Sequence, residues 1–191
     1  MKELKYLIIH CTDTPEGRAV TPDDIHQWHL GAKRNANGTY IFMGGVLTFD
    51  QLSKRNLQLP SGKILNATAT NGNGWSQVGY SDMILLNGKL VNLVKYDDNK
   101  YVEPWEITNG VAGVNNVSRH IVYVGGRGGD TRNKAQTDTL ANYVIDFVKK
   151  HPNIKIAGHY QFDLNKKCPG FSVPNFLHSI SGIKQKNIYG Q

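Results

Sequence analysis

At 191 residues the chain has room for one domain with its own hydrophobic core and too little for two full ones. A composition of 39% hydrophobic and 19% charged residues excludes a disordered chain, and no apolar run approaches the roughly 18 residues a membrane helix needs, so membrane insertion is not expected. Lys and Arg outnumber Asp and Glu by 22 to 15, and the net charge of +7 favours a polyanionic partner; without a nucleic-acid-binding motif, nucleic acid is not the expected one.

Leu4 to Thr12 reads as a buried strand, apolar and β-branched, ending at the Thr12-Asp13-Thr14-Pro15 turn. Its run is too short for a signal peptide, His10 and Asp13 interrupt it, and no small-residue cleavage site follows, so the sequence reads as made in the cytoplasm without a leader. Thr21-Pro22-Asp23-Asp24 announces a helix: Thr21 can cap it, Pro22 suits its first position, and the two acids suit the positive end of its dipole. Ile25, Trp28 and His29 share a face of that helix, and Gly31 is placed to stop it.

Residues 31–74 differ in character, being rich in Gly, Asn and Thr. Short apolar runs at 39–43, 46–49 and 63–67, broken by Gly44-Gly45 and Pro60-Ser61-Gly62, predict small hairpins, a β-rich insertion in a single 191-residue domain. From Tyr80 the core pattern resumes. Strands at 80–86 and 89–94 flank the hairpin signal Asn87-Gly88, residues 97–116 read as mostly irregular, and 119–124 is another strand closed by a glycine-rich turn. Lys134 to His151 is a helix with the stripe Leu140, Tyr143, Val144, Phe147 and Val148. A strand at 154–157, a loop to Cys168-Pro169-Gly170, a short helix opened by Ser172 and a polar tail complete the chain. The order predicts an α/β fold: a mixed central β-sheet flanked by helices, with the β-rich insertion after the first helix.

Two cysteines exclude a disulfide framework and leave one bridge, idle thiols, or a metal or catalytic thiolate. Of the seven histidines, His151 suits a helix C-terminus, His178 stands alone, His26 and His29 are three apart on a helix with no third ligand nearby, and His120 reads as a satisfied core imidazole. His10 and His159 differ, for each falls at the C-terminal end of a strand, where α/β sheets bind ligands. Cys168 follows nine residues after His159 on a loop able to return to the same edge. Two imidazoles and a thiolate make a zinc set with a fourth position for water; two hydrogen-bonded histidines beside a buried thiol would show the same spacing. Cys11 alternates away from His10 along its strand and is expected as a buried free thiol, unbridged to Cys168.

The motifs Ile9-His10-Cys11-Thr12, Ile25-His26-Gln27-Trp28-His29, Gly74-Trp75-Ser76-Gln77-Val78-Gly79-Tyr80, Tyr123-Val124-Gly125-Gly126, Gly158-His159 and Lys166-Lys167-Cys168-Pro169-Gly170 occur in order. That series closely resembles zinc-dependent N-acetylmuramoyl-L-alanine amidases of the phage-lysozyme type, which are related to peptidoglycan recognition proteins. The resemblance covers nearly the whole chain outside residues 31–74. It implies a Zn2+ held by His10, His159 and Cys168, catalytic roles for Tyr80 and Lys166, and peptidoglycan as substrate, cut between N-acetylmuramic acid and L-alanine. A monomeric enzyme acting on the cell wall after release or delivery, in the manner of an endolysin, is the expectation; a non-catalytic peptidoglycan-binding module is the alternative. Four departures stand out. Ser81-Asp82 replace the usual His-Phe after Gly-Tyr, and Gln161 stands where an acid is common. A usual histidine is replaced near Gly110. The 159–168 segment looks one residue longer, which makes Lys167 the alternative to Lys166. By its position the insertion is expected to rim the cleft and narrow substrate choice.

Overall fold

The computed structural model describes residues 1–191. In chain order, β1 (Lys2–Glu3) and β2 (Tyr6–Cys11) precede α1 (Pro22–Leu30), and β3 (Lys33–Arg34), β4 (Tyr40–Phe42), β5 (Gly45–Leu47), α2 (Phe49–Ser53), β6 (Asn56–Gln58) and β7 (Ile64–Asn66) follow it. Then come β8 (Asp82–Ile84), β9 (Leu90–Asn92), β10 (Tyr101–Val102), β11 (Ser118–Tyr123), α3 (Lys134–Lys150), β12 (Lys155–Gly158) and α4 (Val173–His178). The chain gathers into two compact units, Met1–Ala19 with Tyr80–Gln191, and Val20–Gly79.

The first unit is built on a five-stranded mixed sheet in the order β12-β2-β11-β8-β9, with the first four strands parallel and β9 returning antiparallel across the Asn87-Gly88 turn. Strand alternation sorts the central residues. Leu7, Ile9, Cys11, Ile84, Ile121 and Tyr123 join one core with Leu140, Val144 and Phe147 of α3 and Val173 and Leu177 of α4. Ile8, His10, His120 and Val122 alternate with these, and β2 and β11 pair His120 with Ile8 and Val122 with His10. Asn133 caps α3 and Ser172 caps α4. The polar tail is not loose: Ile188 is buried and bridges to Ile156 of β12.

The second unit holds α1 and the β-rich segment. Thr21 and Asp24 close a capping box at the start of α1, with Pro22 in its first turn as its chemistry predicts. Gly31 ends the helix, but with an ordinary φ of −55° rather than the left-handed cap expected of it. What needs glycine here is proximity. The chain returns at Gly72, whose amide donates to the Ala32 carbonyl, and a Cβ on Gly72 would lie 2.4 Å from the Gln27 carbonyl oxygen and 2.8 Å from that of Gly31. Between these stems lie a three-stranded antiparallel sheet, β3-β4-β5, and the hairpin β6-β7. The apolar run at 46–49 is only partly strand, because Thr48 and Gln51 form a second capping box and turn Phe49–Ser53 into a helix.

Candidate metal centre

The parallel register of β12 on β2 pairs Gly158 with Ile9, so His159, one residue past β12, comes up beside His10. Their ring centroids lie 4.9 Å apart. His10 is 1% exposed, whereas His159 is half-buried at the start of a 3-10 turn, His159–Gln161. The loop after that turn folds back and is tied down twice: the Tyr160 amide donates to the Cys168 carbonyl, and the Tyr123 hydroxyl donates to the Pro169 carbonyl at 2.7 Å. The return is close enough that a Cβ on Gly158 would sit 2.8 Å from Cδ of Pro169. The Cys168–Pro169 peptide is cis.

These constraints bring His10, His159 and Cys168 together, with one ligand atom of each within 4.8 Å of the others. The Nδ1 of His10 is 3.7 Å from Sγ of Cys168. Tetrahedral zinc with nitrogen ligands near 2.0 Å and a sulfur ligand near 2.3 Å separates its ligand atoms by about 3.3–3.7 Å, so the donor set suits that ion and the His10–Cys168 separation matches it. The backbone N–H of Cys11 donates to Sγ of Cys168 at 3.2 Å, a contact suited to a thiolate. Contact with the Cys11 sulfur and burial push the Cys168 thiol up, so a nearby cation is what would hold it ionised. Cys11 itself is buried in the helix-facing core, and both cysteines are free thiols, as the alternation along β2 predicts.

Tyr80 lies with its ring 5.1 Å from that of His10. Burial, with the Cys168 and Cys11 sulfurs adding to it, pushes its phenol far above the ordinary value. Lys166 and Lys167 are both exposed on the 162–167 loop. Burial first, and the Lys166 ammonium second, lower the His159 pKa, with the Asp163 carboxylate opposing them.

The residues that depart from the resemblance have structural duties. Ser81 is buried and its Oγ accepts from the His120 amide. The Asp82 carboxylate accepts from Tyr96 Oη at 2.7 Å, Tyr143 Oη at 2.8 Å and Asn92 Nδ2 at 3.1 Å. Gln161 returns its side-chain oxygen to the Gly158 amide, bracing the turn that carries His159.

His26 and His29 do not form a ligand pair. His26 Nδ1 is bonded to the Pro22 carbonyl, and the Gly79 amide donates to Nδ1 of His29, whose pKa burial lowers to about 4. His120 departs from expectation in the other direction. It is no fully satisfied core imidazole, for its Nδ1 meets Nε2 of His10 at 3.0 Å and its own Nε2 is buried without a partner. Nothing in its local sequence signals this, since the contact spans 110 residues and depends on the register of β11 against β2.

The sequence profile of the family described as N-acetylmuramoyl-L-alanine amidase matches residues 1–171. No curated protein matches in sequence. Among solved structures, the fold is similar to the Ph2119 endolysin from the Thermus scotoductus MAT2119 bacteriophage Ph2119 (TM-score 0.58, 18% identity, covering 93% of this chain and 85% of that one). It is also similar to the N-acetylmuramoyl-L-alanine amidase LysC from Clostridium intestinale (0.56, 14%, 93% and 85%) and to Drosophila PGRP-LB (0.55, 20%, 96% and 85%).

Proposed function

The chain belongs to the N-acetylmuramoyl-L-alanine amidase family, and we propose that it is a working member: a zinc hydrolase that cleaves peptidoglycan between the lactyl group of N-acetylmuramic acid and L-alanine. The observation that carries this reading is the convergence of one ligand atom each from His10, His159 and Cys168 within 4.8 Å. Three protein donors leave a fourth position open, the arrangement of a catalytic rather than a structural zinc site. When bound, zinc activates a water near neutral pH and polarises the scissile carbonyl.

The chain's own residues supply the rest. Tyr80, a phenol protonated at neutral pH, offers its O–H to the oxygen on which negative charge develops. Lys166, whose charge already acts on His159, offers an ammonium to the same oxygen from the exposed loop. Both are donors aimed at charge that exists only during reaction, which lowers the barrier without tightening substrate binding. The whole chain is read as one amidase domain, with residues 31–74 as an insertion that narrows the choice of wall. It acts on the wall as an endolysin does, and no helix is long and apolar enough to cross a membrane.

The test compares the protein with Cys168→Ser for bound zinc and for peptidoglycan cleavage. About one zinc per chain with release of stem peptides bearing a new L-alanine amino terminus is expected, and both are lost in the variant. Muropeptide binding without zinc or cleavage would make the chain a recognition module instead.

A further inference from the structure

The two imidazoles buried beneath the centre share a single proton position. His10 and His120 stand on neighbouring parallel strands with His10 Nε2 3.0 Å from His120 Nδ1, and they are 1% and 0% exposed. His10 meets the centre through its other nitrogen, Nδ1, on the side of Cys168. A neutral imidazole has one N–H and one lone pair. If His120 donates across the contact, His10 accepts at Nε2, carries its proton on Nδ1, and has no lone pair left for a cation. If His10 donates, Nδ1 is free to ligate, and His120 must accept at Nδ1 and carry its own proton on Nε2.

We propose that His120 is a positioning residue that fixes His10 in the tautomer with Nδ1 unprotonated and holds that ring in the plane from which it ligates the metal. The inference rests on the zinc reading above and adds a residue that the resemblance does not assign. A metal-bound histidine ordinarily hands its second N–H to a carboxylate, a carbonyl or water; here a second imidazole takes that place. The unpartnered Nε2 of His120 makes the arrangement switchable. Neither tautomer of His120 gains a hydrogen bond at that atom, so either direction is open in the metal-free protein, and His120 fixes the ligating tautomer by accepting the Nε2 proton of His10 once a cation takes the Nδ1 lone pair. Zinc binding and the direction of the His10–His120 hydrogen bond are therefore one event.

Zinc affinity, measured by competition with a chromophoric chelator, tests this without reference to activity. His120→Leu fills much of the space but removes the acceptor, and it is expected to weaken zinc about 10- to 100-fold. His120→Asn, whose side-chain oxygen can accept from Nε2–H, is expected to restore most of that loss. Unchanged affinity in a folded His120→Leu, or equal weakening in both variants, overturns the proposal. Long-range 15N–1H correlation of the imidazoles gives a second readout in the unsubstituted protein. With zinc bound, the proton of each ring is expected on Nε2; a proton on Nδ1 of His120 overturns the proposal even if the variants misfold. A chain that takes no zinc at all fails at the earlier step and overturns the zinc reading itself, so the two failures are distinct.

Discussion

Lys166 and Lys167 are neighbours with the same charge and similar exposure, yet only the first acts on His159. Lys166 comes where its amide closes the turn onto the Asp163 carbonyl, and the carbonyl of Lys167 accepts from Gly170 to hold the cis-proline loop. The proposed role is accordingly assigned to Lys166 and not to Lys167, although the 159–168 segment looks one residue longer. Replacing Lys166 with Ala is expected to lower kcat about 10- to 100-fold with little change in KM, less than the largest losses for buried oxyanion donors because the ammonium is exposed to water. Lys167→Ala is expected to leave both near their starting values. The same charge has a second effect. Lys166 disfavours protonated His159, so in the metal-free protein its removal raises the His159 pKa. An NMR titration of metal-free Lys166→Ala checks this; a fall, or the same rise in Lys167→Ala, would separate Lys166 from the centre.

At the level of elements, the chemistry that made helices legible was local. Thr21, Pro22 and Asp24 sit within four residues and mark the start of α1, and the stripe on α3 repeats every three or four residues. The same local chemistry at Thr48 and Gln51 marks α2, but the apolar run before it carries the signal of a strand, and the period of so short a helix is invisible. The meeting of His10, His159 and Cys168 at one sheet edge was legible because strand ends and a motif series announce it. The His10–His120 contact was not, because parallel pairing between distant strands leaves no periodic trace. The insertion's stem belongs to the same class of long-range fact: Ala32 and Gly72 are 40 residues apart, yet the carbonyl of one accepts from the amide of the other at 3.1 Å. Joining Ala32 directly to Gly72 therefore asks for little rearrangement at the stem, and it removes the buried Leu52, Leu57 and Leu59 together with α2 and the hairpin β6-β7. The shortened chain is expected to fold and to keep its zinc, and the range of walls it cleaves is expected to widen. Digestion of walls with different stem peptides checks this; an unchanged range would leave the insertion no part in selection.

At the scale of the molecule, a chain of net charge +7 would have to meet the large, anionic, insoluble wall proposed as its substrate. The charge is not evenly spent. A cleft of about 630 Å³ at the N-terminal ends of β2 and β12 is lined by Lys5, Lys100, Lys150 and Lys155, with Glu3 as its one acid. Lys150 is paired with Asp98 at 2.7 Å, and no ion pair engages the other three lysines. The centre lies at the opposite, C-terminal ends of the same strands, since β2 carries His10 near its end and His159 follows β12. On the proposed function, charge in the cleft is expected to act on approach to the wall and not on the reacting bond, a long-range attraction that salt screens as the Debye length falls from about 10 Å at 0.1 M to about 3 Å at 1 M. Replacing Lys5, Lys100 and Lys155 with Gln lowers the net charge from +7 to +4, a loss of three. Adsorption to purified walls is expected to weaken both with added salt and in the triple variant, and the variant is expected to respond less to salt. Cleavage of a soluble muropeptide fragment should change little in either case, because a small substrate at the centre does not span the length of the strands. Sedimentation of the protein with walls at the two salt concentrations, set beside fragment cleavage, separates the two effects. Equal salt response in both proteins would mean that the basic cleft takes no share in the approach, and a parallel loss of fragment cleavage would mean that its charge reaches the centre.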